Sequence, residues 1–145
     1  MKKDKKLIYH GLGFPVILVG FTTKKFRGET LPDVNFKELQ ARVFEALLHK
    51  SSHLNGCELL FVRTFLGMTQ TEFSKKIGLA NHSRVSQWEK KGLKPTGMDN
   101  PAELSVRLLM ASAIEEGLIS EIYKELSSSK RLEKQLPVEV RCHVA

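Results

Sequence analysis

The segment from His82 to Lys90 places hydrogen-bonding side chains on one side of a short helix. Asn81 is a suitable cap for this helix, and Val85 and Trp88, three residues apart, point to the same apolar side. The opposite side then carries polar and basic side chains: His82, Ser83, Ser86, Gln87 and Lys90. Gln and Ser can pair with base edges in the major groove of DNA, and Lys can reach a phosphate or a guanine acceptor. The chemistry of this side is therefore that of a helix that reads DNA.

Two short helices joined by a glycine-containing turn are predicted to position this polar side. Thr69 can cap the first helix, and Glu72, three residues later, can reach back to it as a capping box. Phe73 and Ile77 lie four residues apart, so they share the apolar face of that helix. Gly78 supplies the left-handed or tight backbone that ends the helix and redirects the chain. These signals predict a helix-turn-helix; the alternative is a small helical bundle that binds protein.

The same segment resembles the Cro/XRE-type helix-turn-helix regulators. Members of that family show the pattern TQxEhAxxhG, a turn and then VSxWE. The matching residues here are Thr69, Gln70, Glu72, Phe73, Ile77, Gly78, Val85, Ser86, Trp88 and Glu89. Ser74 replaces the usual Ala, and Ala80 is an extra residue that makes the turn one residue longer than the common spacing. The resemblance runs from Asn55 to Ala113. The residues that form the core of the motif are Phe73, Ile77, Gly78, Val85 and Trp88.

The resemblance to the phage-repressor branch of that family implies a role for each polar residue. Gln70 is expected to contact phosphate and to brace the second helix. Base reading is expected from three residues of the polar side: His82, Ser83 and Gln87. The flanking cations are expected to contact the DNA backbone: Arg84, Lys90 and Lys91. A homodimer would present two such helices about 34 Å apart, so we expect a palindromic double-stranded DNA operator.

Charge and composition agree with a polyanionic partner. The 145-residue chain is 41% hydrophobic and 27% charged, which predicts a globular protein with one ordinary core or two small ones. Its formal net charge is +7, and residues 1–27 hold seven Lys and Arg against one Asp, whereas residues 101–145 hold six against seven acids. The basic surface therefore belongs to the front of the chain. Net charge alone fits RNA or anionic lipid as well as DNA.

Several other functional classes lack support in the sequence. The two cysteines, Cys57 and Cys142, and the five scattered histidines have no metal-binding spacing, so we expect no metal site and no cofactor. No Gly-rich phosphate loop, carboxylate pair or Cys/His/Asp arrangement stands above chance, so we expect no enzyme. No apolar run reaches 18 residues, which predicts no membrane span, and the cysteine usage fits a reducing cytoplasm. The resemblance to the Cro/XRE-type regulators implies that this is the cytoplasm of a bacterium, for a bacterial or phage protein.

The predicted fold is α+β, in three parts. Residues 1–54 form a small N-terminal antiparallel β-sheet with one helix, which contacts a toxin, a ligand or a second copy of the chain. Residues 55–126 form a five-helix, lambda-repressor-like helix-turn-helix domain that binds DNA. Residues 127–145 form a C-terminal tail that begins as a linker and is disordered over much of its length, although residues 137–144 could form an edge strand.

Local patterns place the elements within these parts. Strands are predicted at residues 7–9 and 14–21, with a third short strand at 25–27. A helix capped by Asn35 is predicted to carry an apolar stripe of Phe36, Leu39, Val43 and Leu47. This stripe is expected to cover the sheet; the alternative is a docking groove for a partner. Asn100 is the predicted cap of a later helix with Pro101 at its first position and a stripe of Leu104, Leu108 and Ala111. The apolar face of the last helix, from Leu118 to Leu126, is either a homodimer seam or part of the core.

The order of elements resembles the antitoxin branch of the Cro/XRE-type family, notably the MqsA-like and HigA-like antitoxins of type II toxin-antitoxin systems. The similar residues are the run IYHGLGFPVILVGF and, after a helix, NGCELLFVRTFLGMTQTEF. The resemblance implies a repressor of its own operon that also neutralises a ribonuclease toxin. MqsA-like antitoxins carry paired zinc-binding cysteines near the N-terminus, which this chain lacks, so zinc is not carried over. The alternative is a stand-alone repressor of phage or metabolic genes without a toxin partner.

Overall fold

The computed structural model of the protein describes residues 6–115, 117–128 and 136–141 and has the predicted α+β class. In chain order its elements are β1 (Lys6–Tyr9), β2 (Val16–Val19), β3 (Thr22–Phe26), β4 (Glu29–Asp33), α1 (Phe36–Leu48), α2 (Gly56–Phe65), α3 (Gln70–Lys76), α4 (Ser83–Glu89), α5 (Asn100–Ile114), α6 (Leu118–Ser128) and β5 (Val138–Arg141). The five helices predicted after residue 55 are α2 to α6. No helix in the described ranges is both long and apolar enough to cross a membrane.

The described chain divides into two compact units. The first contains the residues up to Ala46 together with those from Pro137 to Arg141, and the second contains those from Leu47 to Leu136. The division therefore falls inside α1, whereas the sequence placed a boundary between residues 54 and 55. Residues 129–135 and 142–145 of the predicted tail lie outside the described residues.

The first unit contains a three-stranded sheet in the order β1-β2-β5. β1 pairs with β2 in antiparallel fashion, as predicted, and β5 pairs with β2 in parallel, with Val16 opposite Val138 and Leu18 opposite Val140. All four of these side chains are buried, because residues two apart in a strand point to the same face. The edge strand considered for residues 137–144 is thus present as β5. The sequence did not predict that its neighbour would be β2 or that the two strands would be parallel.

β3 and β4 form a separate two-stranded antiparallel hairpin. The third predicted strand, at residues 25–27, overlaps β3, whereas β4, which contains Pro32, was not predicted. Pro32 lies opposite Thr23 in the ladder. Since β4 has no second neighbour in the described chain, its other edge is open, and a proline without an N–H group is tolerated there.

The first turn of α1 is capped as predicted, because Asn35 Oδ1 accepts a hydrogen bond of 3.1 Å from the Glu38 N–H. Three residues of the predicted stripe are buried: Leu39, Val43 and Leu47. Phe36 is the exception, with 51% of its surface exposed. It is the first residue of the helix, ahead of the buried turns.

In the second unit, the cap and the buried face of α5 differ from the prediction. Asp99, and not Asn100, is the N-cap, and its Oδ1 accepts from the Ala102 N–H at 2.9 Å. The predicted stripe residues Leu104 and Leu108 are only half-buried, whereas Ala111 is buried. The buried face contains Glu103, Val106, Arg107, Met110 and Ala111. Two opposite charges one turn apart therefore lie in the core of this unit.

The buried pair satisfies the backbone of the segment that leads into α2. Arg107 donates to the carbonyl oxygens of Leu48, Lys50 and Ser52 at 3.1, 2.6 and 2.9 Å, and to Glu103 Oε1 at 3.3 Å. Glu103 Oε1 also accepts from the Leu54 N–H at 2.8 Å. Charge-assisted hydrogen bonds of this kind offset the cost of removing both ions from water. They hold α5 to the chain between α1 and α2.

A second buried ion pair lies at the start of α2. Lys50 Nζ is 2.6 Å from Glu58 Oε1, which also accepts from the Asn55 N–H at 2.9 Å. Asn55 Oδ1 in turn accepts from the Glu58 N–H, which completes a capping box, as the three-residue spacing of Asn55 and Glu58 in the sequence predicts. Burial lowers the pKa of the Lys50 ammonium, and the Glu58 carboxylate acts against that change. Glu58 therefore stabilises both the cap and the buried cation.

Replacing Arg107 with leucine should lower the free energy of unfolding by about 3–5 kcal/mol, because it leaves the Glu103 carboxylate buried without its guanidinium partner. Urea denaturation followed by the fluorescence of Trp88, the single tryptophan, measures the change. Arg42→Leu is the control, because Arg42 forms an i,i+4 ion pair with the exposed Glu38. That pair should contribute at most about 0.5 kcal/mol. Similar losses in the two variants would contradict a structural role for the buried pair.

Candidate nucleic-acid interface

Local hydrogen bonds determine where α3 begins and ends. Thr69 Oγ1 accepts from the Glu72 N–H at 3.1 Å, and its hydroxyl donates to Glu72 Oε1 at the same distance. Glu72 thus reaches back to the cap residue as predicted. Its carboxylate accepts from the Thr69 hydroxyl group, whereas a standard capping box uses the backbone N–H of the cap residue. At the other end the Leu79 N–H donates to the Ser74 carbonyl at 2.8 Å, and Gly78 has a φ of +82°. This is a Schellman motif, in which a left-handed residue ends the helix.

Ser74, which stands where the resembling family has Ala, is fully buried. Its hydroxyl donates to the Gln70 carbonyl at 2.5 Å, so the polar atom is satisfied within its own helix. A serine therefore fits this position without an unsatisfied group in the core. The substitution does not disturb α3.

α4 turns its apolar side inward and its polar side outward. Val85 is completely buried and Trp88 is 8% exposed. Four side chains of the predicted polar side are exposed, namely His82, Ser83, Gln87 and Lys90, and Ser86 is half-buried. The other two cations assigned to backbone contact, Arg84 and Lys91, are also exposed. All three residues predicted to read bases are therefore exposed: Ser83 and Gln87 lie in α4, and His82 is the residue just before it.

The start of α4 differs in detail from the prediction. Asn81 Oδ1 accepts from the Ser83 N–H at 2.9 Å, so the side chain has a capping role. The residue at the N-cap position is nevertheless His82, which has a helical backbone and forms no capping bond through its side chain. α4 therefore begins at Ser83, one residue later than an Asn81 cap would place it.

The carboxylate of Glu89, at the end of α4, is held by residues of two other helices. Arg63 of α2 donates from Nε to Glu89 Oε1 at 2.5 Å and from Nη2 to Oε2 at 3.3 Å. Gln70 of α3 donates from Nε2 to Glu89 Oε2 at 2.9 Å. Arg63 also donates from Nη1 to the Met68 carbonyl at 2.9 Å. These bonds join α2, α3 and α4 through one carboxylate, which we call the Glu89 clamp.

The Glu89 clamp bears on two predictions about the site. The bracing role predicted for Gln70 has a direct contact in the structure, while its contact with phosphate stays a prediction. Arg63 was not singled out from the sequence. A signal was present, because an arginine in the last turn of α2 can approach an acid that ends α4 if the two helices pack together. That packing is tertiary and cannot be derived from either helix alone.

The first residue of α2 touches the backbone at the end of α4. The Gly56 N–H donates to the Lys94 carbonyl at 3.3 Å, and the next N–H, of Cys57, donates to the Gly92 carbonyl at 3.0 Å. A Cβ atom on Gly56 would lie 2.6 Å from the Trp88 carbonyl oxygen and 2.7 Å from that of Glu89. Only glycine permits this approach, so Gly56 sets the distance between α2 and the end of α4.

The exposed surface of α3 and α4 is mainly basic. Lys75 and Lys76 lie in the last turn of α3, where positive charge also interacts favourably with the helix dipole. Together with the three exposed cations of the α4 region they outnumber the one exposed acid of α3, Glu72. A polyanion approaching α4 would therefore meet a net positive surface.

Comparisons with known proteins add no relationship to this geometry. The chain matches no family model, and no curated protein and no solved structure is significantly similar to it. Within the described residues, no group of three or more His, Cys, Asp or Glu side chains is placed to hold a metal ion.

Gly56→Ala should lower the free energy of unfolding by about 3 kcal/mol, because the new methyl group overlaps backbone atoms that move only if α4 moves. Urea denaturation again measures the change. Gly117→Ala is the matched control, since its Cβ would meet only Glu115 Oε1, at 3.7 Å. A change below about 1 kcal/mol is expected there, from the lost capping preference. If Gly56→Ala is as stable as the control, α2 and α4 do not require this contact.

Proposed function

We propose that the chain is a sequence-specific DNA-binding transcriptional regulator that places α4 in the major groove. The observation that carries the proposal is the division of α4 into a buried apolar side and an exposed polar side. The Glu89 clamp supports it further, because a reading helix must hold its side chains in a fixed orientation before it meets the DNA. The basic surface of α3 and α4 supplies attraction to phosphate.

In this proposal the exposed residues divide into two groups. Gln87, Ser83 and His82 read base edges, because their side chains donate and accept hydrogen bonds. Arg84, Lys90 and Lys91 contact phosphates and fix the register of the helix on the duplex. The chain acts as a homodimer on a palindromic operator, since two copies of α4 then meet successive major grooves on one face of the DNA.

The finer proposal is that the regulator is an antitoxin that represses its own operon and neutralises a ribonuclease toxin. It is supported by the resemblance to the antitoxin branch described above, which is carried by the run IYHGLGFPVILVGF, the helix that follows it and the run NGCELLFVRTFLGMTQTEF. The residues up to Ala46 belong to one compact unit and α2, α3 and α4 belong to the other, so we assign the toxin contact to the first unit and DNA binding to the second.

Co-expression tests the antitoxin role. The product of the gene adjacent to the one that encodes this chain is expressed alone and together with the chain, and growth and RNA integrity are followed. We expect growth arrest and RNA cleavage from the neighbour alone, and rescue by the chain. If the neighbour causes no arrest, or if the chain gives no rescue, the antitoxin role is wrong and the stand-alone repressor remains.

Gln87→Ala should weaken binding to the preferred duplex by about 5- to 150-fold, which corresponds to the 1–3 kcal/mol of a lost base contact. The preferred duplex is obtained by selection from a random library, and affinities are measured by fluorescence anisotropy. Binding to a random duplex should change little. Lys90→Ala is the comparison variant. It should weaken binding to both duplexes and lower the slope of log K against log salt by about 0.9. Equal losses on the two duplexes for Gln87→Ala would refute its base-reading role.

A further inference from the structure

The β3–β4 hairpin carries an exposed aromatic side chain and basic side chains at its tip. Every residue of β3 is exposed, and in β4 only Pro32 is half-buried. Phe26, the last residue of β3, has 57% of its surface exposed. The Arg27 guanidinium lies 5.3 Å from the centroid of the Phe26 ring, in a cation–π contact. A large apolar side chain at the exposed end of a two-stranded hairpin is available for contact with another molecule.

The turn of this hairpin has an arginine, Arg27, at a position where the backbone conformation favours asparagine or glycine. Arg27 and Gly28 form the two-residue turn, with φ values of +51° and +80°. Two successive left-handed residues are typical of a type I′ turn, in which Asn-Gly is the preferred pair. Among the described residues, Arg27 is the only non-glycine residue with a positive φ. The chain thus tolerates an unfavourable backbone at the position where it presents a guanidinium.

The charges at the tip are not neutralised within the described chain. Lys24 forms an ion pair with Asp33 at 3.6 Å, at the base of the hairpin. Lys25 and Arg27 form no ion pair with any described residue, and the residue opposite Lys25 is the uncharged Thr30. One acid, Glu29, lies near the tip, opposite Phe26. Two cations that form no ion pair with a described residue, Lys25 and Arg27, therefore flank the exposed Phe26 ring in the sequence.

We propose that the tip of the β3–β4 hairpin is a second DNA-contacting element, which enters the minor groove of duplex DNA. Arg27 is attracted by the negative potential of that groove, and Lys25 contacts a phosphate. Phe26 packs against sugars or a base step, as apolar side chains do in proteins that bind the minor groove. The proposal rests on the proposed function, because it assumes that the chain binds duplex DNA. It adds a contact in the minor groove that contributes to affinity, whereas base reading in the major groove stays with α4.

The test is made on the full chain with the double variant Lys25→Gln/Arg27→Asn. Asparagine preserves the turn, since Asn-Gly is favoured in a type I′ geometry, so the hairpin should remain folded. The probes are a random-sequence duplex and the duplex obtained by selection. We expect the slope of log K against log salt to fall by about 0.9 on both probes, because the phosphate contact of Lys25 is lost, and the affinity for both probes to fall further because Arg27 no longer occupies the groove. The preference for the selected duplex should stay unchanged.

The control variant is Lys37→Gln/Lys124→Gln, which also removes two positive charges, but from exposed helical positions in α1 and α6. It should keep the wild-type salt slope. Netropsin, which occupies the minor groove, should weaken wild-type binding and leave the hairpin variant almost unaffected. A photoreactive benzoylphenylalanine at position 26 should cross-link to the duplex, whereas the same group at the similarly exposed Phe36 should not.

The outcomes separate this proposal from the proposed function. If the wild-type chain discriminates between the duplexes through Gln87, but the hairpin variant has the wild-type slope and position 26 gives no cross-link, only the hairpin proposal is overturned. If binding requires the hairpin and is indifferent to Gln87→Ala, the hairpin proposal stands and the role of α4 fails. A wild-type chain that binds neither duplex overturns both.

Discussion

The Glu89 carboxylate is the interaction on which the arrangement of α2, α3 and α4 depends. It accepts hydrogen bonds from Arg63 and Gln70, which belong to different helices, and both the acid and Arg63 are largely buried. Removing one partner of such a group leaves a charge in a poorly solvated place, so the bonds are far more costly to break than exposed ones. Because Glu89 directly follows Trp88, the clamp fixes the rotation of α4 about its own axis.

A chain of contacts links this clamp to the rest of the second unit. Gly56 lets the start of α2 touch the end of α4, and the cap that defines this start includes Glu58. Glu58 is bound to the buried Lys50, whose carbonyl accepts from Arg107 of α5. Buried polar groups outside α4 therefore help to fix the position of its exposed polar side. Apolar packing of Val85 and Trp88 alone would allow more freedom, since hydrophobic contact is not directional.

The sequence predicted best those elements whose signals are local. The start and end of α3, the inward side of α4 and the capping box at Asn55 depend on residues within one or two turns, and the structure contains all of them. The prediction was wrong for the cap of α5 and missed the burial of Glu103 and Arg107. Charged residues in a helix are ordinarily solvated, and the carbonyl groups that satisfy Arg107 come from the distant segment before α2. Likewise, parallel pairing has no turn signal, so β5 could not be matched to β2.

The pairing of β2 with both β1 and β5 has a consequence for how the protein is made. β1 leaves the ribosome just before β2, but β5 follows only after the whole second unit has been synthesised. At elongation rates of about 5–20 residues per second, this interval lasts roughly ten seconds. During that time the nascent chain carries β2 with an open backbone edge and apolar side chains, a combination that invites pairing with other chains. The helices of the second unit can fold in the interval, so the first unit is the part that chaperones would have to protect.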